Sequence, residues 1–197
     1  MEFTLINQQT PYRGFFKLAV YELRHQLFAG GWSGTVRREI LERGRAVAVL
    51  LHDPATDQLL LVEQFRVGAI HDPAGPWMLE IVAGIVEEGE SDTEVARREA
   101  QEEAACVIDK VEFVLDYYPS AGGCSEVIGI YYAPVDLSGV TPGVHGLADE
   151  QEDIRSLLVS HATAMDWLRN GKIRSSMTII ALQWLALKKA GLLDRPA

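Results

Sequence analysis

Hydrophobic and polar residues alternate along several short segments of the chain, as expected for β-strands with one buried face. Near the N-terminus the alternation covers residues 14–30, is interrupted at Gly30-Gly31 and resumes over residues 35–41, which predicts a small antiparallel module. Two apolar runs, residues 46–51 and 59–62, flank a turn that contains Asp and Pro, so they predict a hairpin. Four further strands are expected at residues 77–82, 111–118, 127–135 and 154–159.

Three later segments carry the signals of helices. Ser91, with Glu94 three residues further on, forms a capping box, so a helix is expected to begin there and to continue to about Cys106. A second helix is expected over residues 160–171 and a third over residues 176–190. The pattern as a whole predicts an α/β fold in which a mixed sheet is covered by about three helices.

Length and composition are typical of a globular protein with one large domain, or with one domain and a small extra module. The chain has 197 residues, of which 48% are hydrophobic and 23% are charged. We expect residues 1–43 to form an N-terminal β module and residues 44–197 to form the main domain. The chain has two cysteines without a C-x-x-C spacing, no signal segment and no long apolar stretch, which favours a cytoplasmic location.

The chain is acidic, with a net charge of −10 from 18 Lys and Arg against 28 Asp and Glu. Such a field repels nucleic acids and anionic membranes, so we expect neither as a partner. It would also repel a small anionic substrate unless cations lie beside the binding site. The question is therefore what neutralises the carboxylates locally.

Three glutamates of the first predicted helix are spaced to form a carboxylate cluster. Glu99 and Glu103 are four residues apart and Glu99 and Glu102 are three apart, so their side chains project from neighbouring faces of the helix. Arg98 is placed to neutralise part of this charge, and a hard divalent cation such as Mg²⁺ or Mn²⁺ would neutralise more. Taken alone, a glutamate-rich helix is also consistent with a plain solvated face.

The order of residues around this cluster resembles the Nudix box, the signature of hydrolases that cleave nucleoside diphosphates linked to another group. The positions of G-x5-E-x7-R-E-U-x-E-E-x-G-U, where U is apolar, are met by Gly84, Glu90, Arg98, Glu99, Glu102 and Glu103. Ala105 stands where the box has glycine, and Ala100 and Cys106 are small residues at apolar positions. We expect the loop after the helix to differ slightly and the chemistry to be retained. The resemblance implies the Nudix fold, an α-β-α sandwich with a mixed sheet, together with the small N-terminal antiparallel β module.

Sequences on both sides of the box resemble the bacterial ADP-ribose pyrophosphatases of this family. The likeness includes residues 12–16, 63–66, 79–84, 120–126 and 146–153. It implies Mg²⁺-dependent hydrolysis of ADP-ribose to AMP and ribose 5-phosphate. It also implies a homodimer in which the N-terminal strands are exchanged and the active site is shared.

The resemblance also implies roles for individual residues. The metal ligands would be the carbonyl of Ala83 and the carboxylates of Glu99, Glu102, Glu103 and Glu152. Glu150, in the acidic loop, would be the general base that activates water. Glu90 and Arg98 would support the ligands. Contacts with the substrate would come from Phe15, Phe16, Arg38, Glu39, Arg66, Ile85, Ser120, Gly122 and Glu126.

Other interpretations are open for some of these residues and for the substrate. Without the family, the two phenylalanines fit ordinary core packing, Arg38 fits a cross-strand ion pair, and Arg66 fits a salt bridge to the box helix. The acidic loop around Glu150 fits a solvated loop. The substrate could also be ADP-mannose, NADH or GDP-mannose, because the box recognises the diphosphate and the flanks recognise the rest. A nucleotide-binding regulator without catalysis is the alternative from a different class.

Overall fold

The computed structural model describes residues 1–193, apart from the side chain of Glu150. The chain divides into two compact units. Unit 1 consists of Met1–Arg45 and Tyr118–Val127, and unit 2 consists of Ala46–Tyr117 and the chain from Ile128 onward. The domain boundary between residues 43 and 44 stays a prediction.

Unit 1 contains a three-stranded antiparallel sheet with the order β1-β2-β3. The strands are β1 (Phe3–Arg13), β2 (Lys17–His25) and β3 (Val36–Glu42). The sequence pattern does not predict β1, because its residues are almost all exposed and it has no continuous apolar face. The strand expected over residues 14–30 ends at His25, where the chain turns towards β3.

Unit 2 is built on an eight-stranded mixed sheet. Six strands follow the order β10-β11-β5-β4-β9-β8, while β6 pairs with β5 and β7 pairs with β4. The strands are β4 (Arg45–Asp53), β5 (Gln58–Phe65), β6 (Trp77–Glu80), β7 (Val82–Ile85), β8 (Glu112–Tyr117), β9 (Val127–Pro134), β10 (Val144–His145) and β11 (Ile154–Ser160). The single strand expected over residues 77–82 is two strands, because the chain passes at Ile81 from pairing with β5 to pairing with β4.

Three helices in the described part of the chain cover this sheet: α1 (Asp92–Ala104), α2 (His161–Arg169) and α3 (Ser176–Lys189). None of them is long and apolar enough to span a lipid bilayer. Side chains of a strand point alternately to opposite faces of a sheet. Accordingly, Leu51 of β4 belongs to the core beneath α1, whereas its neighbour Leu50 belongs to the core beneath α2 and α3. Helices on both faces make this unit an α-β-α sandwich, which confirms the predicted fold class.

Both ends of α1 follow from the local sequence. At the start, the Ser91 side chain accepts a hydrogen bond from the Glu94 amide, and the Glu94 carboxylate accepts one from the Ser91 amide at 2.8 Å, so the predicted capping box is present. At the end, Ala105 adopts the left-handed conformation (φ 48°, ψ 34°) that glycine adopts most readily. The Ala105 amide donates to the Gln101 carbonyl at 3.1 Å. Alanine in place of the box glycine therefore leaves the helix-ending turn in place, with local backbone strain.

Candidate active site

Glu103 occupies the most enclosed position of the carboxylate cluster. It lies near the end of α1, on the face that packs against the sheet, and is 3% exposed. One carboxylate oxygen accepts the backbone amide of Ala83 at 3.1 Å, and the other lies 3.4 Å from the side-chain nitrogen of Gln64. Strands β7 and β5 therefore hold this carboxylate from two directions.

Glu99 lies one helical turn earlier, directly against the backbone of Gly84. A Cβ atom built on Gly84 would be 1.7 Å from Glu99 Oε1 and 2.1 Å from its Cδ. No such contact is physically possible, so any side chain at this position would force the Glu99 carboxylate to move. The first residue of the box thus makes room for one of its carboxylates.

Arg98 connects several carboxylates around the exposed side of α1. Its guanidinium donates to Glu90 at 3.0 and 3.1 Å, to Glu99 at 2.7 Å and to Glu102 at 3.1 Å. It also reaches the carbonyl of Ile85 at 3.4 Å, at the end of β7. These contacts raise the pKa of Arg98, with the hydrogen bonds to Glu90 as the largest cause. They also hold the pKa of Glu90 below its usual range.

The pKa values of the two inner carboxylates, Glu99 and Glu103, are raised, whereas that of Glu90 is lowered. Burial raises the pKa of Glu103 to about 8, and repulsion from Glu99 and Glu152 adds to this effect. Burial also raises the pKa of Glu99, against the lowering effect of Arg98. The two nearby arginines, Arg98 and Arg66, therefore do not offset the burial of these carboxylates, and a further cation would be stabilised there.

The chemistry of these side chains fits a hard divalent cation. The donors are carboxylate oxygens, which Mg²⁺ and Mn²⁺ prefer, and the mutual repulsion of Glu99, Glu103 and Glu152 shows that the three lie within electrostatic reach of one another. Within the described residues, however, no three of the His, Cys, Asp and Glu side chains already converge as a set of metal ligands. Arg98 contacts Glu99, and a Glu152 oxygen accepts the Leu147 amide at 3.1 Å. These contacts must adjust before an ion is bound.

Arg66 lies immediately after β5, and its partner differs from the one considered above. Its Nε donates to Glu80 of β6 at 2.8 Å, so the arginine is paired with a strand residue and not with the box helix. Glu80 is 5% exposed, whereas the Arg66 side chain is 43% exposed. The pair therefore holds one side of the guanidinium in the protein interior and leaves the arginine partly accessible.

The acidic loop between β10 and β11 is described only in part. The backbone of Glu150 belongs to a short 3-10 turn, Ala148–Glu150, but its side chain lies outside what the structure describes. Its role as general base therefore stays a prediction.

Unit 1 brings together three of the aromatic and acidic residues that the resemblance assigns to the substrate, Phe15, Phe16 and Glu126. Arg43 lies with its guanidinium carbon 4.2 Å from the centre of the Phe16 ring, and its Nε donates to Glu126 at 2.7 Å. Phe15 packs edge-on against Phe16, with ring centres 4.7 Å apart, and is 85% exposed. Phe15 is therefore not a core residue. Arg43, which the sequence did not suggest as a site residue, contacts both Phe16 and Glu126.

The other residues of unit 1 that the resemblance assigns to the substrate lie at exposed positions, Arg38 and Glu39 on β3 and Ser120 and Gly122 in the segment after β8. Glu39 pairs with Arg37 at 2.9 Å, and Arg38 donates to the carbonyl of Arg37 at 2.8 Å. The Ser120 carbonyl accepts the Gly123 amide at 3.0 Å and so closes a turn. Gly122, within that turn, has open space where a side chain would begin. Contact of these residues with the substrate stays a prediction.

Comparison with known proteins agrees with this geometry. The model of the NUDIX domain matches residues 42–190. The chain belongs to the Nudix family. It is similar to the ADP-ribose pyrophosphatases of Escherichia coli (strain K12), with 49% identity over 93% of this chain and 87% of that protein, and of Haemophilus influenzae, with 44% identity over 95% and 88%. Among solved structures, it resembles an ADP compounds hydrolase with a TM-score of 0.72 and 22% identity, over 98% of each chain, and that likeness concerns the fold alone.

The structure adds polar residues that the sequence did not single out, two in unit 2 and one in unit 1. Gln64 holds Glu103, Glu80 holds Arg66, and Arg43 lies between Phe16 and Glu126. For Glu80 a signal was available, since a charged residue within the apolar run around Leu79 and Ile81 needs a buried partner. Gln64 and Arg43 depend on strand register and on long-range contacts, which the sequence does not reveal.

Proposed function

We propose that this Nudix protein hydrolyses the pyrophosphate bond of ADP-ribose, releasing AMP and ribose 5-phosphate, with a divalent cation as cofactor. The observation that carries the proposal is the enclosed pair Glu99 and Glu103 on the box helix, whose pKa values are raised by burial. The substrate is supported by the 44–49% identity to proteins named ADP-ribose pyrophosphatase.

Mg²⁺ is the cation we propose, with Mn²⁺ as a substitute. The residues that would hold it are Glu99, Glu102, Glu103, Glu152 and the carbonyl of Ala83. When bound, the ion supplies positive charge that offsets the charge of the diphosphate and of the transition state. Glu90 and Arg98 would keep the carboxylates oriented, since Arg98 contacts Glu99 and Glu102 directly.

The remaining chemistry is assigned to residues of this chain. Arg66 would donate its planar fork of N–H groups to the diphosphate oxygens. Glu150 would accept a proton from the attacking water while the water oxygen bonds to phosphorus and the bridging P–O bond of the diphosphate breaks. Ile85, at the end of β7, would contact the substrate beside the carboxylates.

A homodimer with a shared site is the proposed assembly. Phe15 and Phe16 would contact the adenine, and Arg38 and Glu39 would reach the ligand bound to the partner. Ser120, Gly122 and Glu126 would complete the pocket. The exposure of Phe15 supports this assignment, because a large exposed aromatic ring is available for stacking. Light scattering at micromolar concentration tests it, and a monomer would contradict the shared site.

The central experiment is a turnover assay with purified protein, Mg²⁺ and a panel of ADP-ribose, ADP-mannose, NADH and GDP-mannose. We expect AMP to appear fastest from ADP-ribose and to disappear when the metal is chelated. Glu99→Gln should abolish most of the Mg²⁺-dependent rate, whereas Glu88→Gln, which removes the same charge from an exposed position of the box loop, should not. Release of GMP from GDP-mannose faster than release of AMP from ADP-ribose would refute ADP-ribose as the preferred substrate. Nucleotide binding without turnover of any panel member would indicate a regulator.

A further inference from the structure

Glu80 is a buried carboxylate at the end of β6, the strand before the one that carries the first glycine of the Nudix box. It stands in sequence between Leu79 and Ile81, which are both buried core residues. A charged group in such surroundings is costly to bury unless it is paired and hydrogen-bonded. The pair with Arg66, at 2.8 Å, provides that compensation. Buried ion pairs contribute little to stability on average, so the position of Glu80 calls for another explanation.

Arg66 lies close to the buried end of the carboxylate cluster on α1. Gln64 contacts Glu103 at 3.4 Å, and Arg66, two residues further along in an extended conformation (φ −121°, ψ 108°), projects to the same side of the strand. The hydrogen bond to Glu80 uses Nε and therefore constrains the plane of the guanidinium. A phosphate can then approach the two Nη atoms in the bidentate manner typical of arginine.

We propose that Glu80 is a positioning residue, which aims Arg66 at the diphosphate of the substrate and keeps it from pairing with the carboxylates of α1. This inference rests on the proposed function of the site. An arginine side chain without a fixed partner samples many rotamers. The negative charge of the glutamate cluster on α1 would attract it, and there it would compete with a divalent cation.

The first test is a double-mutant cycle on the kinetics of ADP-ribose hydrolysis, with Glu80→Gln, Arg66→Ala and the double variant. We expect Glu80→Gln to lower kcat/KM by about ten- to a hundred-fold, mainly through KM, because the catalytic groups are present but the clamp is misplaced. Arg66→Ala should lose at least as much, and the double variant no more than Arg66→Ala alone. Independent, additive losses would overturn the proposal, as would a folded Glu80→Gln variant with wild-type kinetics.

The matched control is Glu63→Gln. Glu63 of β5 likewise pairs with an arginine, Arg155 of the neighbouring strand β11, whose side chain is 61% exposed. Loss of this pair removes the same charge without touching Arg66, so kcat/KM should stay within about two-fold of wild type. Should Glu80→Gln fail to fold, Glu80→Asp keeps the charge but withdraws it by one methylene. A rise in KM is again expected, and its absence would overturn the proposal.

A second readout uses Mn²⁺ alone, with binding followed by electron paramagnetic resonance in the absence of substrate. Glu80→Gln should weaken Mn²⁺ binding because the released arginine competes for the carboxylates, and Arg66→Ala in the same chain should restore it. A purely structural role of Glu80 would not produce this rescue, so weakened binding that Arg66→Ala does not restore, or unchanged binding, counts against the proposal. Failure of the wild type to cleave ADP-ribose would refute the proposed function, whereas the Mn²⁺ rescue would still decide the role of Glu80.

Discussion

Gly84→Ala isolates the contact between the start of the Nudix box and the helix that carries its glutamates. The added methyl group would be 1.7 Å from Glu99 Oε1, 2.1 Å from Cδ and 2.5 Å from Cγ. Ordinary contacts between heavy atoms lie near about 3.5 Å, so the carboxylate must retreat by more than about 1 Å. Gly84 has no positive φ, so alanine imposes no strain on the backbone itself. The expected effect is a displaced Glu99 in a folded protein.

The displacement of Glu99 should strongly reduce catalysis and metal binding but have little effect on folding stability. A misplacement of about 1 Å in an active site can cost about a hundred-fold in rate, and disturbed ligand support weakens metal binding by about 10- to 100-fold. We therefore expect Gly84→Ala to lower kcat/KM for ADP-ribose by about a hundred-fold and to raise the Kd for Mn²⁺ by at least about ten-fold. The melting temperature should change by only a few degrees, because the displaced atoms end a flexible side chain.

Gly139→Ala is the matched control for this experiment. Gly139 belongs to the same unit, has no positive φ, and a Cβ built on it meets nothing within 4 Å. It should therefore retain wild-type kinetics and Mn²⁺ affinity. If Gly84→Ala keeps both the activity and the Mn²⁺ affinity of the control, the carboxylate does not need the space that glycine provides, and the reasoning about Glu99 is wrong.

Three further predictions concern the box helix and the acidic loop. In metal-free protein the folded state holds the Glu103 proton to about pH 8 while the unfolded chain releases it near 4.5, so this group stabilises the fold below pH 4.5 and its contribution is lost as the pH rises to about 8. Urea denaturation in the presence of a chelator should show the free energy of unfolding falling over that pH interval, and Glu103→Gln should make the fall smaller. Burial lowers the pKa of His161, which changes stability in the opposite sense, but His161 is present in both proteins and does not affect the comparison. Ala105→Gly should raise the free energy of unfolding in urea by about 0.5–1 kcal/mol, because it relieves the left-handed alanine, and lower stability would contradict that origin of strain. Glu150→Gln should cut turnover by about a hundred-fold or more while leaving Mn²⁺ affinity largely intact, and near-normal turnover would remove Glu150 from the role of base.

The sequence predicts the parts of the fold that depend on local patterns. The capping box defines the start of α1, and the apolar runs locate most strands of unit 2 within a few residues, whereas the two-residue strand β10 was not predicted. The strand β1 was missed because its residues are exposed and carry no apolar alternation. The division of residues 77–85 into β6 and β7 was also missed, because it depends on which neighbour each half pairs with, and pairing is a long-range property.

The candidate site divides in the same way. The spacing of the box places its glutamates on one helix, which is local information. The restraint of Arg66 by Glu80 and of Glu103 by Gln64 requires the register of β5 against its neighbours and the packing of α1. The role of Gly84 is likewise spatial, since its φ is not positive and the Glu99 side chain occupies the space that a Cβ atom would take.

Part of the excess negative charge of the chain is concentrated around α1. The guanidinium of Arg98 contacts Glu90, Glu99 and Glu102, and the pKa of Glu90 is lowered as a result. Glu103, deeper in the protein, has no direct contact of this kind in the described residues, and its pKa rises to about 8. A cation placed among these carboxylates would gain most from the inner ones, because their charged forms are the least stabilised by the protein itself. The same residues that oppose an anionic substrate in the free protein therefore provide the strongest reason for a divalent cation to bind beside it.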